Sequence, residues 1–235
     1  MSALAISPIH RAVRFWEAPI GKKVVMAITG VILFGYVIGH LLGNLQIYAA
    51  NHEQINTYAA FLHSPGNVIP LWVIRAVLLA AVVMHIVSAT QLWMQNRAAR
   101  PFAYRKKNDV PTSYAARTMK WSGVIVGLFI IFHILHLTVG SVVPLAPELA
   151  ANSPNVRANV IQGFQNPAIS GFYILAMILL CMHLYHGLWS MFQSLGFSHP
   201  RYTPLLKKGA ALVAILIAIG NISIPIAVLT GFLTL

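Results

Sequence analysis

The chain has 235 residues, 58% of them hydrophobic and only 9% charged. A soluble domain carries about 25% charged residues, so this sequence cannot solvate a globular surface and must expose most of itself to lipid. Sixteen Lys and Arg against four acids give a net charge of +12, but the basic residues lie between apolar runs. Membrane topology explains that arrangement and no nucleic-acid partner is expected.

The chain opens on a polar, basic stretch with Arg11, Arg14, Lys22 and Lys23, and no cleavable signal peptide is expected because the first apolar run begins near Val24. The first predicted span covers 24–47 and carries Thr29 and His40, with GxxxG-like spacings at Gly35–Gly39 and Gly39–Gly43 that predict close helix packing. A polar loop at 48–70 follows, holding Glu53, His63 and the turn signal Ser64-Pro65-Gly66-Asn67. The second span, 71–95, carries Arg75 near its start and His85 further in. Next comes a strongly basic connection with Arg97, Arg100, Arg105, Lys106, Lys107, Arg117 and Lys120. The third span, 121–143, contains His133 and His136; a Pro- and Asn-rich loop at 144–168 leads to the fourth, 169–194, with His183, His186 and Trp189. Arg201, Lys207 and Lys208 precede a fifth span at 209–233.

Each apolar run matches the roughly 20 residues that cross a bilayer core as a helix, and lipid leaves no economical alternative backbone. The expected fold is therefore all-α: one membrane domain, 1–235, built as a five-transmembrane-helix bundle. The basic loops share one side only if there are five spans, which places the N-terminus in the cytoplasm and the C-terminus outside. Periodicity gives no clear internal repeat. The single cysteine, Cys181, rules out a disulfide framework or a thiolate zinc set.

Six of the ten histidines fall inside predicted spans: His40, His85, His133, His136, His183 and His186. Ionisable residues there are costly and mark the bundle interior or a functional site. At about 1.5 Å per residue, His85 and His183 lie a similar ~17–18 Å from the cytoplasmic ends of their helices, while His40 and His133 lie further outward. Depth accepts His136 as readily as His133. Two level pairs, one above the other, suit two stacked bis-histidine haems. A di-iron carboxylate site needs glutamates that these spans lack. Zinc lacks its usual partners, and covalent haem needs a C-x-x-C-H motif. Non-covalent b-type haem remains.

At these residues the chain resembles the di-haem cytochrome b membrane-anchor subunit of succinate:quinone oxidoreductases, the succinate dehydrogenases and fumarate reductases of respiratory complex II. The resemblance rests on Gly21-Lys22-Lys23 with Met26-Ala27-Ile28-Thr29-Gly30, then Gly39-His40-Leu41-Leu42-Gly43-Asn44-Leu45, Met84-His85, Phe132-His133, Gly171-Phe172-Tyr173, and His183-Leu184-Tyr185-His186-Gly187-Leu188-Trp189-Ser190. It covers residues 15 to 195. It implies two haem b groups, the one nearer the cytoplasm held by His85 and His183 and the outer one by His40 and His133. His136 and His186 are then neighbours, with axial roles as the lesser alternative. It further implies a multi-pass subunit of a prokaryotic inner (cytoplasmic) membrane, which takes electrons from an iron–sulfur subunit and exchanges them with a quinone, menaquinone being expected. FAD and the iron–sulfur clusters would belong to partner subunits, which carry out the dicarboxylate step, and the complex can form a higher oligomer.

The quinone site is the least defined. Lys23, Thr29 and Trp189 near the cytoplasmic end, and Glu53, His63 and Arg75 near the outer end, are the polar or interfacial candidates for quinone or haem-propionate contact. Two other functions fit the same residues: a different transmembrane di-haem cytochrome b reductase, and a membrane protein that conducts protons through its histidines.

Overall fold

The computed structural model describes residues 8–99, 114–149 and 153–235, and side chains from residue 13 onward. Arg11's side chain and the basic residues Arg100, Arg105, Lys106 and Lys107 lie outside the described residues. Among the described residues, eight α-helices follow one another: α1 (Pro8–Glu17), α2 (Pro19–Asn44), α3 (Gln54–His63), α4 (Val68–Ala98), α5 (Tyr114–Ile134), α6 (Val156–Phe164), α7 (Pro167–Ser194) and α8 (Thr203–Leu229). A 3₁₀ turn, Leu45–Tyr48, extends α2, and a π-helical turn, Leu135–Val139, extends α5. No strand occurs among the described residues. Five of the helices, α2, α4, α5, α7 and α8, are long and apolar enough to cross a membrane, and the chain is a multi-pass membrane protein.

All five begin ahead of their sequence-based limits. The first long helix begins at Pro19, where proline at the first helical position suits a backbone that needs no N–H there. α7 begins at Pro167 behind Asn166, whose side chain accepts from the Ala168 amide at 2.9 Å. The third span starts earlier than expected, at Tyr114, but Gly140, in the left-handed conformation at φ 75°, ends it short of residue 143. Three shorter helices were not anticipated. α1 lies in the stretch read as merely basic, while α3 and α6 occupy the two connections read as loops.

The first of these short helices is fastened through one buried lysine. Lys22 Nζ donates to the Trp16 and Glu17 carbonyls at 2.6 and 2.9 Å, satisfying the orphan acceptors at the end of α1, and sits 5.6 Å from the Trp16 ring. Gly21 touches the Phe15 carbonyl so closely that no side chain fits. Lys22→Met should therefore release α1, at a cost of about 1–3 kcal/mol, and expose Arg14 to trypsin in sealed vesicles. Unchanged cleavage there would show that the lysine does not hold this helix.

At the opposite end, α3 and α6 form a polar-laced lid. Asn56 donates to Glu53 Oε2 at 2.9 Å and accepts from the Arg157 amide at 3.0 Å. The buried Arg157 guanidinium donates to the carbonyls of Ile47 and Thr234 at 3.3 and 2.9 Å. Beneath it lies a tight core of Ile47, Ile161, Phe164, Met177 and Ile224. A second core joins Leu41, Leu184, Leu188, Ala214 and Ile217. Both draw on α8. That helix has 39% of its apolar window buried, against 11–22% for the other four long helices. The four helices that carry the intramembrane histidines thus leave more of their apolar surface uncovered than the fifth, which carries none.

The expected GxxxG packing on the first span is corrected at two of its three glycines, Gly35 and Gly39. A Cβ at Gly35 or Gly39 would meet nothing within 4 Å. The third, Gly43, is closely approached by the Tyr58 ring, and on α8 Gly220 is closely approached by Leu41, both at 3.0 Å.

All five tryptophans lie near helix ends beside a cation: Trp16 with Lys22, Trp72 with Arg75, Trp93 and Trp121 with Lys120, and Trp189 with Lys207. Amphipathic rings and cations so placed mark the two interfaces of a bilayer.

Candidate functional site

Two pairs of histidine rings meet across the bundle, each pair drawn from two different helices. Nearer the basic end, His85 of α4 faces His183 of α7 with ring centroids 6.4 Å apart. Further out, His40 of α2 faces His133 of α5 at 5.7 Å. All four rings are half-buried.

Each ring is turned by a hydroxyl on Nδ1. His85 Nδ1 lies 3.1 Å from Thr29 Oγ1 and 3.1 Å from the Met26 carbonyl. His183 Nδ1 lies 3.5 Å from Ser122 Oγ, His40 Nδ1 3.5 Å from Tyr36 OH, and His133 Nδ1 3.3 Å from Tyr173 OH. Contact at Nδ1 orients each ring and turns its Nε2 away from these partners, the kind of support that metal-bound histidines receive.

The pairing bears on which metal groups the residues suit. A metal–imidazole bond is about 2.0–2.1 Å and the nitrogen lies ~1.1 Å from its ring centre, so two imidazoles on opposite faces of one iron have centroids about 6.3 Å apart. The pair at 6.4 Å meets this requirement. The pair at 5.7 Å needs its rings to part by only about 0.6 Å. Among the described residues, no three or more His, Cys, Asp or Glu converge as a protein-only metal site would require. Two donors at a time, in an apolar setting without carboxylates, fit a group that brings its own equatorial ligands. Thr29 and His40 share one face of α2, eleven residues apart, and Ser122 and His133 share one face of α5 with the same separation. The two levels are therefore about 16 Å apart along the helices.

On α5 the structure separates the two histidines that depth alone left equal. His133 faces His40, whereas His136 is buried on the π-helical turn, with Nδ1 2.9 Å from Tyr173 OH. Its ring packs against Phe132 and Phe164. Its Nε2 points at α6, where a Cβ on Gly163 would come within 2.6 Å. Gly163→Ala should destabilise the protein by about 1–3 kcal/mol, because a ring held on every side cannot retreat. A thermal melt equal to wild type would show that His136 has room to move.

His186 lies one turn from His183, edge-on to Trp189 at 5.3 Å, with Nδ1 buried and unpartnered among the described residues. Ser88, one turn from His85, likewise has a buried Oγ without a partner there.

The six quinone or propionate candidates do not converge. Lys23 is exposed, and Thr29 is engaged with His85. Trp189 lies between His186 and Lys207, whose Nζ is 4.5 Å from its ring. Glu53 holds Asn56, and His63 Nδ1 is bonded to the Ala59 carbonyl of its own helix at 2.8 Å. Arg75 sits 4.8 Å from the Trp72 ring.

Sequence reasoning missed Ser122, Tyr36 and Tyr173, and did not join Thr29 to His85. It also missed a short repeat that would have found two of these positions. Thr29-Gly30-Val31-Ile32 with His40 corresponds to Ser122-Gly123-Val124-Ile125 with His133, and Met84-His85 corresponds to Met182-His183. The signal is four residues and a spacing, too brief for a periodicity scan.

Comparison with protein-family models, with curated proteins and with solved structures gives no match for this chain.

Proposed function

We propose that this chain is the di-haem cytochrome b anchor of a succinate:quinone oxidoreductase, with one b-type haem between His85 and His183 and a second between His40 and His133. The observation that carries the reading is the pair of facing histidine couples on four membrane helices, at 6.4 and 5.7 Å, each ring held by its Nδ1. When bound, haem iron with two imidazole ligands supplies reversible one-electron transfer and leaves no open position for oxygen chemistry.

The residues of the chain hold, space and insulate the two groups. His85 and His183 form the level nearer the basic end, which the positive-inside rule makes cytoplasmic, and His40 and His133 form the level toward the other side. With haem held there, the first level would be the one placed to take electrons from a partner iron–sulfur subunit, itself served by a flavoprotein. Those electrons would leave to, or arrive from, a quinone in the membrane. Menaquinone fits the di-haem resemblance, and a prokaryotic cytoplasmic membrane fits the topology. The long helices carry no acid, so no carboxylate proton relay runs through them.

The test is reduction by substrate. Succinate added to anaerobic membranes bearing the chain should reduce its haem, and affinity purification should recover a flavoprotein and an iron–sulfur protein with it. Haem that ignores succinate but accepts electrons from ascorbate or a nicotinamide donor would assign the chain to another class of membrane cytochrome.

A further inference from the structure

We propose that Ser122 and Thr29 are matched positioning residues, two copies of one device that fixes which nitrogen of His183 and His85 is free to bind iron. The inference rests on the di-haem reading and adds the residues that prepare the ligands for it.

Proton counting sets the direction of the hydrogen bonds. A hydroxyl has one proton to give. Ser122 Oγ is 3.0 Å from the Met119 carbonyl, which can only accept, so the serine proton goes there. Toward His183 Nδ1, at 3.5 Å, the oxygen can then only accept. Thr29 Oγ1 is committed in the same way to the carbonyls of Val25 and Met26, at 2.8 and 3.1 Å, and accepts from His85 Nδ1 at 3.1 Å. The Met26 carbonyl, 3.1 Å from the same nitrogen, demands the same tautomer. Both neutral imidazoles thus carry their proton on Nδ1 and a lone pair on Nε2, the form that binds a metal.

The surroundings of the two hydroxyls are duplicated as well. The next residue is glycine in each case, and a Cβ there would lie 3.6 Å from His85 Cε1 at Gly30 and 3.5 Å from His183 Cε1 at Gly123. Backbone and hydroxyl together form a seat for a ring from the neighbouring helix, α2 seating α4 and α5 seating α7. Each seat lies eleven residues before a histidine of the outer pair, His40 or His133. Helices α2 and α4 therefore match α5 and α7, and each haem takes one ligand from each half. The seats differ in one respect: among the described residues, His85 has two acceptors and His183 has only Ser122.

Ser122→Ala removes one oxygen from a tight position and tests the device with little risk to folding. The purified mutant should release the haem of His183 to excess apomyoglobin about tenfold faster than wild type. The midpoint potential of that haem should rise, because an imidazole that no longer donates its Nδ1 proton gives less electron density to iron. Ser122→Thr should restore both properties. Thr29→Val should shift the same haem in the same direction but by less, since the Met26 carbonyl remains. The haem of His40 and His133 should keep its release rate and potential throughout. Wild-type release and potential in Ser122→Ala overturn the proposal, and so does an equal disturbance of both haems, which indicates general loosening. A wild-type protein that binds no haem overturns the di-haem reading and this proposal together. Two haems in wild type with an indifferent Ser122→Ala overturns this proposal alone.

Discussion

His183→Ala should halve the haem content of the purified protein, from two groups per chain to one, and His85→Ala should give the same product. The two rings face each other at 6.4 Å; if they serve one iron as proposed, removing either leaves a single donor in an apolar space. The remaining group should keep its spectrum and potential. Its ligands sit about three helical turns away, on the same two helices that carry Thr29 and Ser122. The mutant should still fold, since neither ring belongs to the tight cores around Ile161 or Ala214. A pyridine haemochrome count per chain, with an optical redox titration, measures both halves of the expectation. Loss of both haems in His183→Ala, from a folded protein, would show that the couples are not independent.

The third span yields the second large effect, and its sign depends on which histidine is changed. His133→Ala should abolish the outer haem and leave the other. His136→Ala should retain both haems but lower stability by about 2–4 kcal/mol, because it empties a buried ring position between Phe132, Phe164 and Tyr173 and removes a hydrogen-bond partner of the tyrosine. Haem content and thermal unfolding, measured on both mutants, separate the roles. If His136→Ala loses the outer haem while His133→Ala keeps it, the assignment on this helix is reversed.

The five spans were legible because a bilayer asks a simple question of a sequence: an uninterrupted apolar run of about 20 residues. The shorter helices are a different case. α1, α3 and α6 have only nine or ten residues and owe their stability to tertiary partners such as Lys22, Asn56 and Arg157. No local pattern encodes those partners. The first long helix gained its start from Pro19, a signal present in the sequence but outweighed by the charges that follow it.

The site divides along the same line. Depth along a helix follows from counting residues, so the level shared by His85 and His183 could be read directly. Rotation about the helix axis could not, and rotation decides the rest. The π-helical turn at Leu135–Val139 turns His136 toward α6, a distortion with no clear sequence mark. Thr29 looked like a free polar group near the membrane edge because its partner, His85, is 56 residues away. Gly35 and Gly39 have the spacing of a packing motif, yet no helix lies against them. The matching Thr29-Gly30 and Ser122-Gly123 pairs were readable in principle, since both precede a histidine by the same interval.

The central claim is that the two histidine couples each hold a b-type haem, and one measurement addresses it most directly: a reduced-minus-oxidised optical spectrum of the purified protein with a pyridine haemochrome count. The account predicts two b-type haems per chain, distinguishable by potential. A folded protein that is colourless in both redox states would contradict it, and would leave the four rings as a packing or proton-handling device.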